Sequence, residues 1–162
     1  TQLRWDENRI WNRNEAFYET FNTNDVQSSV LQFGSKSIVV SEHRNEIIVT
    51  DAYTHSNYGK HVSGWSRRLQ CAAVIPVRDA NFLFVIKGYR TYHNYSRIHV
   101  FNEDFTCCCE KEIMGRSWRI MGVSSESSGT SIFLKNKENG ECIKIVIATQ
   151  AIEGQDQSNM LY

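Results

Sequence analysis

Cys71-Ala-Ala-Val-Ile-Pro-Val77, Arg78-Asp-Ala-Asn81, Phe82-Leu-Phe-Val-Ile-Lys87 is the stretch that decides the fold. Two apolar runs of strand length flank a short polar turn, which predicts an antiparallel hairpin. In an extended chain successive side chains point to opposite faces. Phe82 to Ile86 is apolar at every position, so its strand must be covered on both sides and belongs in the interior of a sheet. Pro76 has no N–H to give to a ladder, which places the first strand at an edge or a bulge.

The same cadence continues outward. Ser37–Ser41 pairs with Glu46–Asp51 across Glu42-His43-Arg44-Asn45. Arg97–Phe101 pairs with Phe105–Ile113 across Asn102-Glu103-Asp104. Trp118–Val123 pairs with Ser131–Lys135, and that strand with Glu141–Ala148 across Asn136-Lys137-Glu138-Asn139-Gly140, where Asn139-Gly140 tolerates positive φ. In the last strand Ile143, Ile145 and Ile147 face one way, toward a core, and Cys142, Lys144 and Val146 the other.

These hairpins predict a mainly β chain, an antiparallel sandwich or barrel of about 8 to 10 short strands. The alternative is a set of β-propeller blades, because Ile38, Ala73 and Ile120 each open a strand, a turn and a second strand at uneven spacing. Three blades do not close a ring by themselves.

Residues 1 to 27 lack this alternation and are read as an N-terminal arm or short helix. Asn14 to Phe21 puts Trp11, Tyr18 and Phe21 on one helical face, for packing on the core or for docking on a partner. Residues 153 to 162 are read as a flexible polar tail. The whole, 1 to 162, is read as one β domain.

Composition narrows the function classes without choosing one. Lys plus Arg and Asp plus Glu balance at 18 each, so no net field draws the chain to nucleic acid or an anionic membrane. No apolar run approaches the roughly 18 residues of a membrane span. The five cysteines, Cys71, Cys107, Cys108, Cys109 and Cys142, are odd in number and match no zinc-ribbon spacing. They are read as reduced thiols, with Cys107 and Cys109 on one side of a strand and Cys108 on the other, in an intracellular, cytoplasmic protein. The sequon Asn94-Tyr95-Ser96 points the other way and carries little weight. A start at Thr1 suggests an excised domain or a processed product.

Lys87-Gly-Tyr-Arg-Thr-Tyr-His-Asn-Tyr-Ser-Arg97 interleaves rings with cationic donors, the composition of a recognition loop. Lys87, Tyr89, Arg90, Tyr92, Tyr95 and Arg97 are its candidate ligand-binding residues, with Arg67 and Arg68 joining if the fold brings them near. The competing reading is a hairpin loop whose tyrosines cover the core edge. A protein or peptide is the expected partner. Single-stranded nucleic acid is the alternative, since tyrosines stack on bases and Arg and Lys hold phosphates. A self-assembling, coat-like subunit is a further reading.

Asp51, His55 and His61 share one polar loop and are weak metal candidates, because their spacing matches no strong motif. His93 and His99 are read as ordinary loop and strand residues. No nucleophile elbow, P-loop or His-Glu-x-x-His stretch is present, so an enzyme is the lesser expectation and no cofactor is expected. Cys71 or Cys107 to Cys109 could meet a histidine and Asp51, but such trios arise by chance in any domain of this size. Ser124 to Thr130 is read as a flexible turn.

Overall fold

A computed structural model describes residues 3–5, 9–10, 30–43, 45–62, 68–88, 94–126 and 129–149. The expected helix over 14 to 21 and the tail from 153 lie outside these residues. The described chain is β throughout, with turns and no helix.

Thirteen strands are assigned among the described residues. They are β1 (Leu3–Trp5), β2 (Arg9–Ile10), β3 (Leu31–Phe33), β4 (Lys36–His43), β5 (Glu46–Asp51), β6 (Asn57–Val62), β7 (Arg68–Val77), β8 (Ala80–Gly88), β9 (Tyr95–Phe101), β10 (Cys107–Met114), β11 (Trp118–Glu126), β12 (Gly129–Asn136) and β13 (Cys142–Thr149). They form three antiparallel sheets. The first is ordered β3-β4-β5-β6, the middle one β10-β9-β8-β7, and the third β1-β13-β12-β11, with β2 also pairing β13. The expected hairpins are present, with tighter turns. His43 faces Glu46, and Val77 faces Ala80 across Arg78-Asp79, with Arg78 at a positive φ of 55°.

The sheets stack with the middle one covered on both faces. On one side Ala73, Ile75, Phe82, Phe84, Ile86, Ile98 and Val100 meet Trp118, Ile120, Val123, Ile132, Leu134, Ile143, Ile145 and Ile147 of the third sheet. On the other, Leu69, Ala72, Leu83, Val85 and Phe101 meet Leu31, Phe33, Ile38, Val40, Ile47 and Val49 of the first. Each of these large side chains contributes roughly 1.5–3 kcal/mol on leaving water. The all-apolar β8 therefore sits where its sequence demands, inside the middle sheet.

The barrel expectation is corrected: no sheet closes on itself. A small barrel has one interior, whereas β8 needs two, and stacking open sheets supplies them. The first and middle sheets are four-stranded meanders in strand order, and β11 to β13 form a three-stranded one in the five-stranded third sheet. β1 from the far N-terminal side completes the third. Pro76 lies on β7, an edge strand of its sheet, as expected.

Polar ties fix how the sheets meet. Gln70 of β7 donates through Nε2 to Ser96 Oγ of β9 at 2.8 Å and accepts from the Trp118 N–H through Oε1 at 2.7 Å. Ser96, the third position of the sequon, is fully buried and donates to Gly115 O. Thr130 Oγ1 of β12 donates to Pro76 O of β7. Glu42 of β4 accepts the Leu69 N–H at 2.8 Å, which ties the first sheet to the middle one.

Candidate functional site

The tyrosine and arginine segment is divided by the fold. Tyr89, Arg90, Tyr92 and Arg67 lie outside the described residues. Lys87 does not reach solvent: it is fully buried in β8, its Nζ 3.4 Å from Glu46 O and 3.9 Å from Glu42 Oε2. Burial lowers the Lys87 pKa, and the Glu42 carboxylate opposes that shift. Its stem continues an apolar strand, so its ammonium serves the interior.

The remaining members gather at one end of the middle sheet. Arg68, exposed at the start of β7, is the register partner of Gly88, where β8 ends. Gly88 in turn faces Ser96, and Tyr95 faces Met114. Tyr95 is 41% exposed and Met114 61%, so two large apolar side chains stand side by side in water where the 89–93 connection joins the sheet. Arg97, two residues into β9 from Tyr95, is engaged with its neighbours: Nη2 lies 2.8 Å from Glu112 Oε2, and Nη1 3.4 Å from Glu110 Oε1.

A second cluster forms where the first and middle sheets meet at their outer strands. His61 of β6, His99 of β9, and Cys107 and Glu110 of β10 bring one ligand-type atom each within 4.8 Å of one another. Its geometry follows from a β-bulge. In a regular strand Cys107 and Glu110, an odd number of positions apart, point to opposite faces. The β9–β10 register shifts between Cys107 and Cys109, so Cys107 faces Phe101 while Glu110 faces His99. Phe101 and His99 are two apart on β9 and share a face; their partners therefore share it too.

The same bulge corrects the expected alternation of the thiols. Cys107 packs with the core between the first and middle sheets, whereas Cys108 and Cys109 both pack with the other core. All five cysteines are free thiols.

Glu110 Oε2 is the hub of this cluster. It lies 3.0 Å from His61 Nε2, 3.5 Å from His99 Nδ1 and 3.6 Å from Cys107 Sγ. Burial raises the carboxyl pKa, but the two histidines and Arg97 outweigh it and leave the group below its ordinary value. His99 is fully buried between the His61 and Phe101 rings, and neither of its ring nitrogens has a hydrogen-bond partner. Desolvation drives its pKa down to about 4, so the ring is a neutral imidazole at neutral pH. Burial, aided by Glu110, pushes the Cys107 thiol up to about 12, and burial pushes Cys109 to about 12. Neither is poised as a thiolate nucleophile.

Of the three residues first considered for a metal, the fold keeps only His61 in a cluster. Asp51 caps its own turn, accepting from the Tyr53 and Thr54 N–H groups at 2.8 Å and from Tyr58 Oη at 2.7 Å. Those bonds, the Thr54 one foremost, hold its pKa at about 2. His55 is exposed in that turn at a φ of 64°. His99, Cys107 and Glu110 escape a sequence reading because the Cys-x-x-Glu spacing acquires meaning only once the bulge is known.

Comparison of the chain with known protein families, with curated proteins and with solved structures finds no match.

Proposed function

We propose that this chain is an interaction module that holds a protein or peptide against the end of the middle sheet that carries Tyr95 and Met114. The observation that carries this reading is the exposed Tyr95 and Met114 pair, in register where β9 begins and β10 ends. Tyrosine and methionine offer a large, adaptable contact surface, and Arg68 at the same end of the sheet favours a partner that also carries carboxylates. Arg67, Arg90, Tyr89 and Tyr92 are the additional residues proposed for this face. Lys87 is left out, because its ammonium is turned inward against Glu42 and the Glu46 carbonyl.

The proposal favours a heterologous partner over sheet-edge assembly. The exposed edge β10 carries Glu110, Lys111 and Glu112, and charged side chains along an edge discourage strand addition by a second copy.

Panning a displayed random-peptide library on the full chain tests the reading. The expected result is an enriched consensus with apolar and acidic positions, whose affinity falls at least about tenfold, or about 1.4 kcal/mol, in the Tyr95→Ser, Met114→Ser double variant. No consensus, or one indifferent to that variant, overturns it. A labelled single-stranded RNA run alongside separates the nucleic-acid reading, which requires affinity that falls steeply with salt.

A further inference from the structure

We infer that His61, His99, Cys107 and Glu110 form a binding site for a zinc-class divalent cation that clasps the first sheet to the middle one. The inference is independent of the peptide-binding face.

The donor set is the first argument. Two imidazoles, a thiol and a carboxylate are the side chains that a borderline-soft cation selects, whereas calcium or magnesium requires oxygen ligands almost throughout. Spacing is the second. Four ligands at about 2.0–2.3 Å from a tetrahedral ion stand roughly 3.3–3.7 Å from one another. Glu110 Oε2 lies 3.0 Å from His61 Nε2, 3.5 Å from His99 Nδ1 and 3.6 Å from Cys107 Sγ, and all four atoms fall within 4.8 Å. Shifts of about an ångström or less bring these atoms to the separations of a tetrahedral shell.

The third argument is His99. Its ring is fully buried; Nδ1 stands 3.5 Å from Glu110 Oε2 without hydrogen-bond geometry, and Nε2 has no partner, so the lost hydration is poorly replaced. The hydrogen bonds centred on Glu110 satisfy His61 and Cys107 and leave His99 only this long contact. Coordination through Nδ1 gives that nitrogen a full partner.

The surroundings suit such a site. The Arg97 guanidinium lies 3.4 Å from Glu110 Oε1, which orients the carboxylate and leaves Oε2 toward the other three ligands, the part an outer-shell group plays around metals. The His61 and Glu110 side chains are 24% and 36% exposed, so an ion reaches the site from the rim. Four protein ligands fill a tetrahedral zinc shell, and a filled shell belongs to a structural site. His61 comes from β6, the other three from β9 and β10, so an ion held here bridges two sheets. When it binds, the Cys107 thiol proton and any proton on the coordinating histidine nitrogens pass to solvent, and the ligands enter as thiolate, neutral imidazoles and carboxylate.

Titrating metal-free, reduced full chain with cobalt(II), followed by zinc(II) competition, tests the inference. The expected spectrum has the visible bands of four-coordinate cobalt and a near-ultraviolet thiolate-to-cobalt band, bleached by stoichiometric zinc. Cys107→Ser abolishes the thiolate band, and His61→Ala and Glu110→Gln each weaken cobalt binding more than about 100-fold, beyond what outer-shell changes cost. These three positions are partly exposed, so their variants test the site even if His99→Ala fails to fold. Asp51→Asn and His55→Ala leave the titration unchanged. A missing thiolate band, one that survives Cys107→Ser, or binding indifferent to both His61→Ala and Glu110→Gln overturns the inference.

Discussion

The two faces of the middle sheet are packed on different principles. Toward the third sheet the interface is aliphatic and aromatic from Ile75 to Ile147. Toward the first sheet the apolar centre is smaller, and titratable groups stand at its margins: Lys87 with Glu42, and His61, His99 and Cys107 with Glu110. An interface held by apolar burial and by neutral hydrogen bonds such as Trp118 N–H to Gln70 responds weakly to pH, metal or charge. One rimmed by buried ionisable groups is conditional, and the union of the first and middle sheets is the part of this molecule that solution conditions can tighten or loosen.

Neighbouring residues of β8 report on each interface separately. Phe84 faces the third sheet and Leu83 the first. Phe84→Ala is expected to cost about 3–5 kcal/mol and Leu83→Ala about 2–5 kcal/mol in denaturant unfolding. The comparison is sharpened by repeating both with zinc: the increment should be full in Phe84→Ala and smaller in Leu83→Ala, which loosens the interface that holds the ligands. Equal increments in both would break the distinction.

The buried ion pair comes next. Glu42→Gln keeps an acceptor for the Leu69 N–H but removes the carboxylate facing Lys87, and about 2–4 kcal/mol of stability should go with it. Adding Lys87→Met should restore most of that loss, because no buried charge then lacks compensation. Failure of the double variant to recover would show that Lys87 supports the fold by its other bonds.

Zinc at a hundredfold excess over its dissociation constant should stabilise the native chain by about 2.7 kcal/mol, read as a raised unfolding midpoint, and His61→Ala should lose that increment. The Asp51 contribution is smaller and runs with pH. Its carboxyl pKa is held at about 2 against an ordinary 3.8, so the folded state binds fewer protons than the unfolded one between these values. The turn bonds therefore stabilise fully above the unfolded pKa and are lost as pH falls through about 2. Asp51→Asn should flatten the acid limb of the unfolding curve. Smallest of all, Met114→Ser should change stability by no more than about 0.5 kcal/mol, since its side chain is 61% exposed.

The fold was legible wherever apolar alternation carried it. Phe82 to Ile86 required cover on two sides, and the isoleucines of β13 required it on one; both demands are met. Closure was not legible, because hairpins of this kind serve a barrel and a stack equally until two-sided burial is weighed. Asn57 to Val62 read as loop rather than strand because Gly59, Lys60 and His61 lack an apolar face. His61 was picked out for its chemistry, but its partners depend on pairing between sheets and on one bulge, neither of which leaves a mark in residue spacing. Lys87 misled for a related reason: a cation beside tyrosines resembles surface chemistry, while the pleat turns it inward.

The pairing of β1 with β13 joins stretches from opposite ends of the described chain, Leu3 opposite Thr149. On the ribosome the earlier strand emerges long before its mate exists, and the third sheet stays unfinished until the long stretch between Trp5 and Cys142 has been closed into a loop. Contacts so remote in sequence slow folding and leave a bare ladder of β13 available to other chains in the meantime. Synthesis of this protein should consequently be most vulnerable to misassembly while β13 still lacks β1.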